Sequence, residues 1–219
     1  MQGPVLKRRP QSGFSIIEVL ISMVVLSFGL LALAGMMIQS QRSEMESYQR
    51  SQALLLLNEM YERINANRPA APCYVITTNT VPTSPTAGSP FAGTASAAFP
   101  ACVAVGPTAT QIAQVVVDLN AWDARLKGVA ERTAGAADIG AMVGARGCIS
   151  YAAGTELTDT TPFANVLPGT GIYTITVAWQ GLGPTAAPAA PCGNNEYGDE
   201  TTRRTVSLTF RIGAINNTL

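Results

Sequence analysis

Histidine is absent from all 219 residues. That absence excludes Ser-His and Cys-His nucleophile pairs and every histidine metal ligand. Proline is missing from position 11 to position 68, although the chain has 14 prolines, so no proline breaks a helix in that stretch. Charge is missing between Glu18 and Arg42, and cysteine is missing before Cys73. Basic and acidic residues number 14 each, with no broad basic patch, so nucleic-acid binding is not expected. Aromatic residues make up only 6% of the chain, and they form no aromatic-basic stripe of the kind a single-strand binder uses. A carboxylate-pair hydrolase survives these absences, yet the acidic residues of the C-terminal part are scattered. The sequence implies no cofactor and no catalytic activity.

What is present begins with a basic leader, Lys7-Arg8-Arg9, followed by Gly13-Phe14-Ser15-Ile16-Ile17-Glu18 and a long apolar run. The twenty residues from Val19 to Ile38 reach about 30 Å as a helix, the thickness of a bilayer core. The leader charges hold the N-terminus in the cytoplasm, so the remainder faces outward, into the periplasm of a Gram-negative cell. A carboxylate in hydrocarbon costs about 2.5 to 3.5 kcal/mol even on lenient scales. Glu18 therefore needs a partner or a task, or else it snorkels to the headgroups. A rival reading is an ordinary secretory signal cut after Ala32-Leu33-Ala34, before Gly35, where small residues fit the rule for that peptidase. Against it, the run from Phe14 to Leu31 exceeds the usual apolar core of about 7 to 15 residues and contains Glu18.

From residue 7 to about residue 40, the leader charge, the Gly13-Phe14 step, the position of Glu18 and the apolar length together resemble the class III signal of type IV pilins and the related pseudopilins of secretion systems. The resemblance implies cleavage between Gly13 and Phe14 by a prepilin peptidase and N-methylation of Phe14. Glu18 then holds the family's fifth position, where the glutamate of an incoming subunit meets the free amine of a neighbour and sets the register of the fibre. The chemistry is coherent. The new amine lies one helical turn from Glu18, a helix N-terminus favours negative charge, and an unpaired charge in lipid makes a wrong register costly. Removing the leader leaves 11 basic residues against 14 acidic, a net charge of −3.

Beyond Gln39 the helix turns amphipathic. Ala53, Leu56, Leu57, Met60 and Ile64 share one face, and Arg50, Glu59, Glu62 and Arg63 surround the rest. Asn65-Ala66-Asn67 and Pro69 mark its end, predicting one helix from Phe14 to about Ala66, roughly 80 Å long. The segment from Asn79 to Thr110, rich in Ala, Pro, Thr, Ser and Gly, reads as an irregular solvated connection. Helical spacing of Ile112, Val115, Val116, Leu119, Trp122 and Leu126 predicts a second helix over Gln111 to Lys127. Glu131 to Gly144 reads as an insertion. Strands are predicted over Gly147 to Tyr151, Ile172 to Gln180 and Arg203 to Ile212, the latter two with one apolar face each, forming an antiparallel meander on the long helix. The Asp118-Leu119-x-x-Trp122 cluster and Tyr173-x-Ile175-x-Val177-x-Trp179 resemble minor pilins of the PilV kind.

The expected fold is therefore α+β, a type IV pilin-like lollipop. Residues 1–13 are the leader, 14–38 the apolar assembly helix, 39–68 its amphipathic half and 69–219 the periplasmic head. Four cysteines allow three connectivities. Sequential pairing, Cys73 with Cys102 and Cys148 with Cys192, is expected because each bridge then staples one irregular region, for about 3 to 4 kcal/mol per loop. The oxygen-rich loop holding Asn194, Glu196, Asp199 and Glu200 is a weak calcium candidate that matches no loop motif. The expected function is that of a minor pilin incorporated with other minor and major pilins to prime or tip a fibre serving adhesion and twitching motility. A minor pseudopilin of a type II secretion system and an adhesive, ligand-binding tip module are the alternatives, and a secreted soluble protein or enzyme is the outsider. Expected partners are the prepilin peptidase, the assembly machinery, the inner membrane and other pilins through the N-terminal helix.

Overall fold

In the computed structural model, residues 13–76, 92–93, 99, 102, 106–129, 142–158 and 165–213 are described. The chain divides into two compact units, Met1–Glu44 and Met45–Leu219. One helix, α1 (Ile16–Ala66), 51 residues without a proline, contributes to both. In the first unit it buries nothing, and every large apolar residue from Ile16 to Ile38 is exposed. Among the described residues α1 is the one helix long and apolar enough to cross a membrane.

In the second unit α1 buries Gln49, Ala53, Leu57, Met60 and Ile64, the i, i+4, i+7 stripe that its amphipathic sequence demands. A 3-10 turn, Arg68–Tyr74, carries the chain away under Pro69 and Pro72. The second helix, α2 (Ala109–Leu126), starts two residues earlier than its apolar spacing predicts. A capping box sets that boundary: Gln111 N donates to Thr108 Oγ1 at 3.3 Å, while Thr108 N donates to Gln111 Oε1 at 2.8 Å. Such a cap contributes about 1 kcal/mol.

Three strands follow, β1 (Val143–Ala152), β2 (Ile172–Gln180) and β3 (Arg203–Arg211), in the order β1-β2-β3 with both pairings antiparallel. The first is twice the length its sequence suggests, because the ladder continues past an irregularity between Val143 and Arg146. Val143 and Gly144, read as the end of an insertion, are strand residues; the stretch 131–141 lies outside the described residues, as does most of the connection 79–105.

One face of the sheet presents Ile149, Tyr173, Ile175, Val177 and Trp179 to a core shared with α1 and with Val115, Leu119, Trp122 and Leu126 of α2. Trp122 is fully buried, and its Nε1 donates to Leu56 O of α1 at 3.0 Å. Its ring lies so close to β1 that a Cβ on Gly147 would run into the indole and into Leu126. Only glycine fits there, which explains a glycine inside a strand. The opposite face is covered at one end by a small second cluster, Cys148, Ala178 and Cys192, with Tyr197 packed on it.

Candidate functional site

At the N-terminus, Gly13, Phe14 and Ser15 precede the helix and Glu18 sits in its first turn. Ser15 O accepts from Glu18 N at 3.1 Å and from Val19 N at 3.3 Å, starting the helical ladder. Ser15-x-x-Glu18 also has the spacing of a capping box, but the bonds seen here are the backbone ones. Phe14 is 83% exposed, and Glu18 is exposed as well. The leader residues Lys7, Arg8 and Arg9 lie outside the described residues.

Two hydroxyls in the apolar half are satisfied within it. Ser22 donates to Glu18 O at 2.7 Å and Ser27 to Met23 O at 2.8 Å. Such i−4 bonds let a serine enter hydrocarbon without a dangling donor, so Glu18 is the one charged side chain between residues 13 and 41. Ala32-Leu33-Ala34, the rival cleavage site, lies within α1.

In the second unit, chemistry-bearing groups form a partly buried polar network where α1 ends. Arg63 bridges Glu59 at 2.7 Å and Asp118 at 2.8 Å. Asp118 also accepts from Gln114 at 2.9 Å and from the Tyr74 hydroxyl at 2.5 Å. Asn67 donates to Tyr74 Oη at 3.3 Å and to Gln111 O at 2.9 Å. Burial, then the bond to Asp118, pushes the Tyr74 phenol well above its ordinary range. Burial works against the charge on Arg63, but the bonds to Glu59 and Asp118 outweigh it and raise its pKa. Every member has a partner, so the network locks α1, the 3-10 turn and α2 together. The sequence places Asp118 only in the Asp118-Leu119-x-x-Trp122 cluster. The i, i+4 pairs Glu59–Arg63 and Gln114–Asp118 were the available signal.

The four cysteines are joined as Cys73–Cys102 and Cys148–Cys192. The second bridge ties β1, through Cys148, to the loop around Cys192 that Arg203 holds from inside. Arg203 is 3% exposed and donates to Pro188 O at 3.1 Å, to Cys192 O at 3.0 Å and to Ala190 O, and its Nε meets Glu200 at 2.6 Å. Five donors in a fixed fork suit a guanidinium to this task.

The calcium candidates in that loop are engaged elsewhere. Glu200 takes Arg203 and Asn195 N, Asp199 accepts from Thr201 N at 2.9 Å, and Glu196 lies 3.7 Å from Arg146. Asn194, with its amide turned to suit its neighbours, donates to Glu200. The Thr201 amide draws the Asp199 pKa down. Burial works to raise that of Glu200, but the bonds from Asn195 and Arg203 bring it down on balance. Among the described residues no group of three or more His, Cys, Asp or Glu side chains is placed to hold a metal ion.

Compared with known families, residues 8–34 match the prokaryotic N-terminal methylation motif. No match was found among curated proteins or among solved structures. The motif supports the type IV pilin family and indicates a type IV pilin-like prepilin or pseudopilin. It implies processing by a prepilin peptidase and pilus assembly, and proteins that carry it are generally structural rather than catalytic. Together with the apolar helix it suggests an inner-membrane anchored, periplasm-facing protein.

Proposed function

We propose that this chain is a minor pilin of a type IV pilus, cut between Gly13 and Phe14, N-methylated at Phe14 and incorporated with other minor and major pilins to prime or tip the fibre. Residues 14–38 anchor it in the inner membrane before assembly, and residues 69–219 form a disulfide-stapled periplasmic head that selects its partners. The observation that carries this reading is the methylation motif leading directly into a 51-residue helix whose first half leaves every large apolar side chain exposed. Such a surface needs lipid or other helices around it. Glu18, one turn inside the new N-terminus, supplies a charge that only a cation in the correct register satisfies.

Two measurements test the reading. N-terminal sequencing of the mature chain is expected to give methylated Phe14, whereas a start at Gly35 means ordinary secretion. Deletion of the gene is expected to abolish surface fibres and twitching while leaving exoprotein release intact; the reverse outcome assigns the chain to a secretion system.

A further inference from the structure

The two disulfides stand in different surroundings. Cys73 and Cys102 are half-buried, and what fixes the turn beside Cys73 comes from far along the chain: Tyr74 bonds Asp118, and Ile76 pairs with Ile149. Cys148 and Cys192 are buried, and what fixes the backbone around Cys192 is local. Arg203 reaches back to Pro188 O, Ala190 O and Cys192 O, which lie 15, 13 and 11 residues upstream. Its Nε meets Glu200, which accepts from Asn195 N at 2.6 Å and from the Asn194 amide. The base of the loop is closed in the same way. Gly181 N donates to Thr202 O at 2.8 Å, Thr185 N to Thr201 O at 2.7 Å and Arg204 Nη2 to Gly183 O at 2.7 Å.

None of these bonds involves β1. Toward that strand Tyr197 donates to Gly144 O at 2.8 Å, Glu196 lies 3.7 Å from Arg146, and the bridge itself joins Cys192 to Cys148, 44 residues away in sequence. Local bonds close at low entropic cost, because the entropy of bringing two groups together grows with the chain between them. A guanidinium buried with one carboxylate and three carbonyls also organises strongly, since leaving any of those groups unpaired inside is expensive. Arginine and loop therefore order together.

We propose that Arg203 is a positioning residue for the Cys148–Cys192 bridge: it gathers the loop into its final form before oxidation and so presents the Cys192 thiol to Cys148. Bridge formation is thiol–disulfide exchange with an oxidant that is itself a disulfide, such as glutathione disulfide or a disulfide-bearing oxidase. One cysteine thiolate displaces a thiolate from the oxidant and forms a mixed disulfide. The other cysteine thiolate then attacks the protein sulfur of that mixed disulfide and releases the second oxidant thiolate. The chain loses two electrons and two protons, and the oxidant gains both. The second step is intramolecular, so its rate follows the effective concentration of one cysteine at the other, which an ordered loop raises and a loose one lowers. The bridge then locks a loop that is already built. The proposal is independent of which fibre or secretion system the chain serves.

The test refolds the reduced full-length chain in detergent micelles with glutathione disulfide, stops the reaction at intervals by alkylation and maps the cysteine pairs by mass spectrometry. Arg203→Met is expected to slow closure of Cys148–Cys192 about tenfold, the weight of one charged hydrogen bond, and to accumulate glutathione on Cys148 or Cys192, while Cys73–Cys102 closes at the wild-type rate. Where Arg203→Met blocks both bridges, the same comparison is made with Glu200→Gln, and selective slowing is again expected. In a second arm, the chain carrying Cys148→Ala and Cys192→Ala is expected to keep wild-type hydrogen-exchange protection at the Gly181, Thr185 and Asn195 amides, and to lose it when Arg203→Met is added. Closure of Cys148–Cys192 at the wild-type rate in Arg203→Met, or slowing of both bridges alike in Glu200→Gln, overturns the proposal. So does loss of that protection in the double-alanine chain that retains Arg203, since the bridge then builds the loop.

Discussion

The two halves of α1 share one unbroken backbone ladder and have opposite side-chain logic. From Ile16 to Ile38 apolar residues cover the whole circumference and all the large ones are exposed. From Gln49 to Ile64 a single stripe is buried, and the remainder is largely polar apart from the exposed Leu54 and Leu55 and the half-buried Leu56 and Tyr61. A helix that is apolar all round needs a surrounding of lipid or other helices, whereas an amphipathic one needs a single partner surface. The second half has found its partner in β2 and α2. The first half is left for something outside the chain, and its only charge lies in the first turn.

The largest effects should separate these halves. Trp122→Ala removes a fully buried indole that touches α1, α2 and β1, and is expected to destabilise the second unit by about 3 to 5 kcal/mol in urea unfolding. Leu31→Ala, equally apolar but 70% exposed, is expected to change that transition by less than about 0.5 kcal/mol. Equal effects of the two substitutions would erase the distinction between the halves.

Next in size is Asp118→Ala. It strips Arg63 and Tyr74 of their shared acceptor and is expected to cost about 2 to 3 kcal/mol, while Asp118→Asn is expected to recover part of the loss. The smallest effect is alkaline. The Tyr74, Tyr173 and Tyr197 phenols are all raised in the folded state from 10.0, each chiefly by burial. A raised folded pKa contributes stability that is complete below the unfolded value and is lost as pH climbs toward the folded one. The melting temperature is therefore expected to hold from neutrality to about pH 10 and to fall above it, with no counterpart in the first half of α1, which carries no tyrosine.

Periodicity made most of the architecture legible. The stripe Ala53, Leu56, Leu57, Met60, Ile64 and the alternation Tyr173, Ile175, Val177, Trp179 each report one buried face, and all of these residues are buried as read except Leu56, which is half-buried. The sequence was less informative where long-range contacts decide the outcome. Ala178 and Thr176 sit on the face that alternation assigns to solvent, yet both are buried; the loop carrying Cys192 and Tyr197 folds back over Ala178. The N-terminal part of β1 lacks a readable pattern because Gly144 and Gly147 stand where side chains would report a face. The Asp118 network was hidden because its members come from three separated segments, and Thr108-x-x-Gln111 was readable but passed over in favour of apolar spacing. At the N-terminus the sequence carries most of the argument, since the structure adds only the helix start and the exposure of Phe14 and Glu18.

The central claim is that the Glu18 carboxylate acts in assembly and does more than start a helix. The direct measurement compares Glu18→Ala and Glu18→Gln in sheared surface fibres, with processing at Phe14 checked by mass. Glutamine keeps the size and polarity of the side chain and the capping-box spacing without the charge, so the account predicts that both variants are cut, methylated and retained in the inner membrane but missing from the fibres. Incorporation of both at the wild-type level would contradict it and leave Glu18 with a purely local role.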